Sequence, residues 1–138
     1  MSYSQQVQQA AGPRTRTRPV LVVDDYADSR ATLRDMLEQL GHEVVEARDG
    51  QEAFNFLTLH PEIRVQLILL DLDMPGMNGW DLLTLLKSYI RLASIPVIVV
   101  SRHASQLKSS ERRKVNGVFE GPRELFELQA MVEAIISH

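Results

Sequence analysis

An apolar run that stops at a carboxylate constrains this chain more than any other feature. Residues 65–70 are almost uniformly apolar, and Asp71 follows them, before a loop rich in Pro, Gly and Asn. The run is too short to span a membrane. Its lack of alternation indicates a central strand covered on both faces, as in a parallel sheet flanked by helices. Ligands of such sheets bind beyond the carboxyl ends of the strands, where Asp71 would lie.

Two other apolar runs also end in polar side chains. Residues 20–23 are followed by Asp24 and Asp25, and residues 97–100 are followed by Ser101. If these runs are neighbouring parallel strands, their carboxyl ends share one edge of the sheet. The sequence therefore predicts a carboxylate cluster and one hydroxyl at the same place.

Strand and helix patterns alternate along the chain from residue 20. We predict strands over residues 20–24, 43–47, 65–71, 97–101 and 118–120. The predicted helices run from a cap at Asp28 to Gly41, from Gly50 to His60, from Gly79 through Tyr89, weakly over 105–114, and from Pro122 onward. Right-handed crossovers between parallel strands then give a three-layer α/β/α flavodoxin-like doubly wound sandwich, with its five-stranded parallel sheet in the order 2-1-3-4-5.

Composition limits the kinds of protein that this chain can be. The 138 residues carry a net charge of −3, and the three arginines of the acid-free first eighteen residues leave about −6 for the remainder. That charge argues against a nucleic-acid-binding body. The absence of cysteine excludes disulfides and thiolate metal sites. We predict a disordered tail over residues 1–18 and one domain over 19–138, in a cytoplasmic protein without a signal peptide or membrane span.

A hard divalent cation would resolve the repulsion within the predicted carboxylate cluster. Mg²⁺ prefers oxygen ligands and keeps several waters, so two or three carboxylates suffice. One carboxylate beside the metal can then attack a phosphoryl group and form an aspartyl phosphate. Ser101 could donate a hydrogen bond to a phosphoryl oxygen once the group has arrived.

Three segments together resemble the receiver domain of two-component response regulators. They read Val-Leu-Val-Val-Asp-Asp, Leu-Ile-Leu-Leu-Asp-Leu-Asp-Met-Pro-Gly-Met-Asn-Gly and Ile-Pro-Val-Ile-Val-Val-Ser. The resemblance implies that Asp71 is the phospho-acceptor and that Asp25 binds Mg²⁺ directly. It also implies that Asp24 positions the metal largely through water, that the backbone carbonyl of Asp73 is a further ligand, and that Ser101 is the switch hydroxyl.

The sequence departs from this family at three positions. Gly121 precedes Pro122 where the family has a lysine that pairs with phosphoryl oxygens, and Val118 occupies the place of the usual aromatic residue. Phe119 is one position away and would face the other side of the sheet. Arg102 follows the switch hydroxyl where a small residue is usual. We hypothesise that Arg102 supplies the positive charge that the missing lysine would provide.

The resemblance implies phosphorylation of Asp71 by a sensor histidine kinase or a phosphotransfer protein. The protein would then signal by binding another protein, with no enzyme activity beyond self-catalysed transfer to Asp71 and autodephosphorylation. It implies no nucleic acid or membrane partner, and it leaves room for a homodimer through the basic segment 105–114. The alternatives are a constitutive interaction module that works without phosphorylation and a phosphatase that uses Asp71 and Asp73.

Overall fold

Five short parallel strands form the centre of the computed structural model, which describes residues 18–136. The strands are β1 (Val20–Val23), β2 (Val44–Ala47), β3 (Leu67–Leu70), β4 (Val97–Val100) and β5 (Gly117–Phe119). They are hydrogen-bonded in the order β2-β1-β3-β4-β5, and all four pairings are parallel. The predicted fold and strand order are therefore confirmed.

Helices cover both faces of this sheet. They are α1 (Ala27–Gln39), α2 (Gly50–Leu59), α3 (Gly79–Lys87), α4 (Ile90–Ala93), α5 (Ser109–Arg112) and α6 (Leu125–Ile136), with a 3₁₀ turn at Ala104–Gln106. Buried side chains of α1 and α6 pack on one face, and those of α2 and α3 pack on the other. Every residue of β1 and β3 is fully buried, as the uniform apolar runs predicted.

The first helix begins differently from the prediction and ends as predicted. Its N-cap is Tyr26, whose side chain makes no capping hydrogen bond, so the predicted cap at Asp28 is wrong. Asp28 lies within the first turn because Asp24 accepts the Tyr26 backbone N–H at 2.9 Å and thereby sets the entry to the helix. At the other end Gly41 adopts a φ of +89°, which glycine tolerates better than other residues.

The third and fourth crossovers are broken into shorter helices than the sequence predicts. Helix α3 ends at Lys87, because Tyr89 is extended and packs its ring on Phe54 with 5.5 Å between centroids. The predicted helix over 105–114 is a 3₁₀ turn followed by the single turn of α5. Helix α5 contains no buried residue, and without an apolar face a longer helix gains nothing from packing.

The remaining boundaries shift by a few residues. Strand β3 begins at Leu67, β5 spans Gly117–Phe119, and α6 begins at Leu125 after a turn at residues 121–124. The predicted tail lies outside the described residues except for Arg18, and its disorder stays a prediction. Within residues 18–136, no helix combines the length and apolar character that crossing a membrane requires.

Candidate functional site

Three carboxylates meet at the carboxyl edge of the sheet. Asp24 and Asp25 follow β1, and Asp71 follows the adjacent strand β3. One carboxylate oxygen of each residue lies within 4.8 Å of the others. Asp24 is buried, Asp71 is partly buried and Asp25 is exposed. The parallel pairing of β1 and β3 thus produces the predicted cluster.

The first turn of α1 holds the buried Asp24 side chain. Its two oxygens accept the backbone N–H of Tyr26 and the hydroxyl of Ser29. Arg30 donates to the backbone carbonyl of Asp24 at 2.8 Å and pairs with Glu46 at 3.1 Å. The sequence reasoning missed Ser29, although a hydroxyl in the first helical turn after paired aspartates was a usable signal. This turn aims Asp24 at the cluster.

Asp71 lies at the centre of the cluster and holds its proton unusually well. Burial, and then the nearby charges of Asp24, Asp25 and Asp73, raise its pKa from 3.8 to about 7. The Asp73 backbone N–H, 3.1 Å from Asp71 Oδ1, acts in the opposite direction. Burial also raises the pKa of Asp24, despite its hydrogen bond from Ser29. Crowded carboxyls with raised pKa values are the environment in which a bound divalent cation would relieve most repulsion.

Ser101 and Asp73 form the side of the site nearest β4. Ser101 is buried, and its hydroxyl lies 3.4 Å from Asp73 Oδ2 while accepting the His103 backbone N–H at 3.0 Å. The His103 ring contacts the same Asp73 oxygen through Nδ1 at 3.0 Å. The Asp73 carboxylate therefore bridges Ser101 and His103, a role for its side chain that the sequence did not suggest.

A cavity of about 330 Å³ opens beside the Asp71 carboxyl. Asp24, Asp71, Ser101 and Gly121 line it, and Arg102 lies at its rim with its guanidinium carbon 5.8 Å from the centre of the Tyr26 ring. Arg102 is the one basic residue lining this cavity in the described part of the chain. The structure therefore brings Arg102 close to the other predicted site residues.

Gly121 contributes no side chain to the site, and Val100 lies close to the position where one would begin. A Cβ atom built on Gly121 would lie 2.8 Å from Val100 Cγ1, so even alanine requires Val100 to move. On β5, Val118 packs against the α2 and α3 side of the sheet, while Phe119 packs against the α1 and α6 side. The predicted opposite orientation of Val118 and Phe119 is confirmed.

Comparison with known proteins identifies one family for most of the chain. Residues 20–132 match the family described as the response regulator receiver domain. A gliding motility regulatory protein of Myxococcus xanthus is 41% identical over 98 residues, which cover 67% of this chain and 12% of that protein. Protein PilH of Pseudomonas aeruginosa is 32% identical over 105 residues, which cover 76% of this chain and 80% of PilH.

A solved structure supports the same relationship. The Mn²⁺-bound form of response regulator Rcp1 superposes with a TM-score of 0.68 at 29% identity, covering 87% of this chain and 92% of that one. PilH aside, this chain covers only 12% to 65% of the length of the first curated relatives that it matches. These matches, with the 2-1-3-4-5 sheet and the carboxylates at its edge, show that the chain belongs to the response regulator receiver domain family.

Proposed function

We propose that Asp71 is the residue of this receiver domain that accepts the phosphoryl group. The observation that carries the proposal is its position, at the end of central strand β3 and within 4.8 Å of Asp24 and Asp25 oxygens. A carboxylate oxygen of Asp71 attacks the phosphorus of a donor, and the bond from phosphorus to the donor's leaving atom breaks. The product is an acyl phosphate on Asp71, and the leaving group departs with the bonding electron pair.

The residues around Asp71 fit a bound Mg²⁺. The donors are all oxygens, and three carboxylates leave several positions for water, as the ion prefers. Asp25 is exposed at the edge for direct contact, while Asp24 is buried and oriented by Ser29. When bound, Mg²⁺ neutralises charge on the phosphoryl oxygens. The backbone carbonyl of Asp73 completes our proposed ligand set.

Ser101 is the hydroxyl that responds to the phosphoryl group in this proposal. In the unmodified protein its hydroxyl lies 3.4 Å from Asp73 Oδ2, a long contact for a hydrogen bond between oxygens. A phosphoryl oxygen on Asp71 offers a stronger, charged acceptor within the same cavity. Ser101 then exchanges Asp73 for the phosphoryl group, which changes the contacts of the loop that contains His103.

Arg102 contributes the positive charge on the open side of the site. Its guanidinium suits phosphate geometry, and the cavity beside Gly121 gives the side chain room to turn from Tyr26 toward Asp71. The interaction with Tyr26 is a modest one at an exposed position, so releasing it costs on the order of 1 kcal/mol.

The proposed donor is a sensor histidine kinase or a phosphotransfer protein, and the proposed output is the binding of another protein. Receiver domains are signalling modules, and transfer to Asp71 with subsequent autodephosphorylation is the chemistry that we assign to this chain. The cytoplasmic location and a homodimer through the segment 105–114 stay predictions from the sequence.

Intact mass measurement tests the proposed acceptor directly. We expect one phosphoryl adduct after incubation of the protein with Mg²⁺ and acetyl phosphate. Asp71→Asn should give none, whereas Asp73→Asn, which removes the other carboxylate of the same loop, should still be modified. An adduct of equal yield in Asp71→Asn would show that another residue accepts the group.

A further inference from the structure

A second cavity lies at the opposite, amino-terminal edge of the sheet and has a volume of about 530 Å³. Each of the three central strands is preceded by an arginine that lines it. Arg18 comes before β1, Arg64 comes before β3, and Arg91 lies in α4 ahead of β4. We call this space the arginine cavity. At the other edge of the sheet, the same strands are followed by Asp24, Asp71 and Ser101.

The walls of the arginine cavity combine polar and apolar surface. Besides the three arginines and the polar side chains of Gln66 and Ser94, the lining contains aliphatic residues and proline, among them Leu57, Ile63, Ile95 and Ile135. No aspartate or glutamate of the described residues lines it. An organic molecule bound there would meet both cations and aliphatic side chains.

The three arginines have no carboxylate partner among the described residues, and neither have Arg102, Arg112 and Arg113. Arg30, Arg34, Arg48 and Arg123 each form ion pairs, but Arg18, Arg64 and Arg91 form none with residues 18–136. Arg91 Nη2 instead donates to the backbone carbonyl of Leu57 at 3.0 Å, which holds its guanidinium at the cavity. Like charges around one space repel, and a bound anion would remove that repulsion.

The chemistry of these residues suits a phosphate group. A guanidinium presents a planar fork of donors that matches phosphate oxygens, and several guanidiniums together suit a diphosphate better than a single carboxylate. The volume lies within the range of about 300–1,000 Å³ that is typical of small-molecule sites. We propose that the arginine cavity binds a phosphorylated small molecule of nucleotide size, with its phosphates on the arginines and its base against the aliphatic wall.

Isothermal titration calorimetry with ADP as the probe tests this site. The titration is made without Mg²⁺, so that the metal cannot link the diphosphate to Asp71. We expect saturable binding of ADP, and binding at least about tenfold weaker for uncharged adenosine. The double variant Arg18→Gln/Arg64→Gln should lose about tenfold or more in ADP affinity. Neither side chain has a partner among the described residues, so the fold should be kept.

The matched control is Arg113→Gln/Lys114→Gln, which removes the same charge from residues outside the cavity. We expect this variant to bind ADP as the native protein does. Equal losses in the two double variants would mean non-specific attraction and would overturn the proposal. Absence of saturable heat up to about 5 mM ADP, a concentration far above the dissociation constant of a working site, would also overturn it.

Backbone amide shifts from NMR provide a second, independent readout. Addition of ADP should shift the amides of Val65, Gln66 and Ser94, which line the cavity, and leave those of Asp71 and Asp73 in place. Shifts confined to the carboxylate edge would contradict the site. This result does not depend on whether Asp71 is phosphorylated.

Discussion

Arg102 lines the same cavity as Asp71 and is our candidate for the cation that Gly121 does not supply. Asp71 is surrounded by carboxylates that raise its pKa, and a phosphoryl group adds further negative charge to the same small volume. A cation near the phosphoryl oxygens lowers the energy of that state. Since Gly121 provides no side chain, we expect this cation to be Arg102, the one basic residue of the described chain that lines the cavity.

We therefore predict that Arg102→Ala weakens binding of beryllofluoride, a phosphoryl mimic, by about tenfold, which corresponds to about 1.4 kcal/mol. Binding of Mg²⁺ should change by less than about twofold, because a guanidinium contributes no ligand to the metal. Fluorescence of Trp80 or calorimetry would measure both affinities. Arg113→Ala serves as the control for net charge, and a parallel loss of Mg²⁺ and beryllofluoride binding in Arg102→Ala would argue against a phosphoryl contact.

Ser29, like Arg102, has a role that depends on a neighbouring carboxyl, in this case that of Asp24. Its hydroxyl donates to Asp24 and so lowers the Asp24 pKa against the effect of burial. Ser29→Ala should raise that pKa and weaken Mg²⁺ binding by about tenfold or more, since a hydrogen bond to a charged group contributes about 1.5–3 kcal/mol. Calorimetric titration with Mg²⁺ at neutral pH would measure the change.

Thr32→Ala is the appropriate comparison for Ser29→Ala. Thr32 lies in the same helix and lines the same cavity, but its hydroxyl donates to the backbone carbonyl of Asp28 instead of a carboxylate. Its removal should leave the Mg²⁺ affinity close to that of the native protein. If both substitutions weakened Mg²⁺ binding equally, the effect would belong to the helix and not to the Asp24 carboxyl.

At the scale of elements, the site depends on how closely the start of α3 approaches the end of β3. Asn78 caps α3 by accepting the Asp81 N–H, and the Gly79 N–H donates to Leu72 O at 3.1 Å. A Cβ atom on Gly79 would lie 2.7 Å from Asp71 O and 2.7 Å from Leu72 Cα. The absence of a side chain at Gly79 thus allows the helix to rest against the backbone of Asp71 and Leu72.

Gly79→Ala should lower the free energy of unfolding by about 3 kcal/mol. The new methyl group would meet backbone atoms of Asp71 and Leu72, which cannot turn aside as the end of a flexible side chain can. It should also displace Asp71 and weaken Mg²⁺ binding. Gly76→Ala is the comparison, since Gly76 has a φ of +70° but open space around its Cβ position. It should cost only about 1–2 kcal/mol and leave Mg²⁺ binding intact. Urea denaturation would measure the free energy of unfolding of both variants. Equal losses would contradict the close approach of α3 to β3 as the cause of the Gly79→Ala effect.

At the scale of the whole molecule, the sheet and its functional edge could be predicted because apolar runs determine both. Two uniformly apolar runs must be buried on both faces, namely Val20–Val23 and Leu67–Leu70. The first is followed directly by Asp24 and the second by Asp71. The connections could not be predicted as well. The end of α3 depends on Tyr89 packing on Phe54, a contact between residues far apart in the sequence.

The details of the site also depend on contacts between residues far apart in the sequence, which could not be predicted. The contact of Arg102 with Tyr26, and the bridge from Asp73 to Ser101 and His103, join residues on different loops. No local pattern in the sequence encodes those distances. Ser29 is the exception, since it lies on the same helical turn that Asp24 orients.

The stability of the whole domain should depend on pH through Asp71. Its pKa is about 7 in the folded, metal-free protein and near 3.8 in the unfolded chain. Between these values the folded state binds a proton that the unfolded state has released, so the free energy of unfolding decreases as pH rises from about 4 to about 8. We expect a decrease of about 1–2 kcal/mol between pH 5 and 8, less than the full shift implies because the carboxyl is partly exposed.

Magnesium should reverse this trend, because it binds the deprotonated carboxylates and only the folded state holds them together. Urea denaturation at pH 5.5, 6.5 and 8, with EDTA and then with Mg²⁺ at about 10 mM, would measure both effects. In Asp71→Asn the metal-free decrease should largely disappear, leaving the smaller contribution of Asp24, whose pKa is raised in the same direction. A variant with the same pH dependence as the native protein would mean that other groups, and not Asp71, link folding to pH.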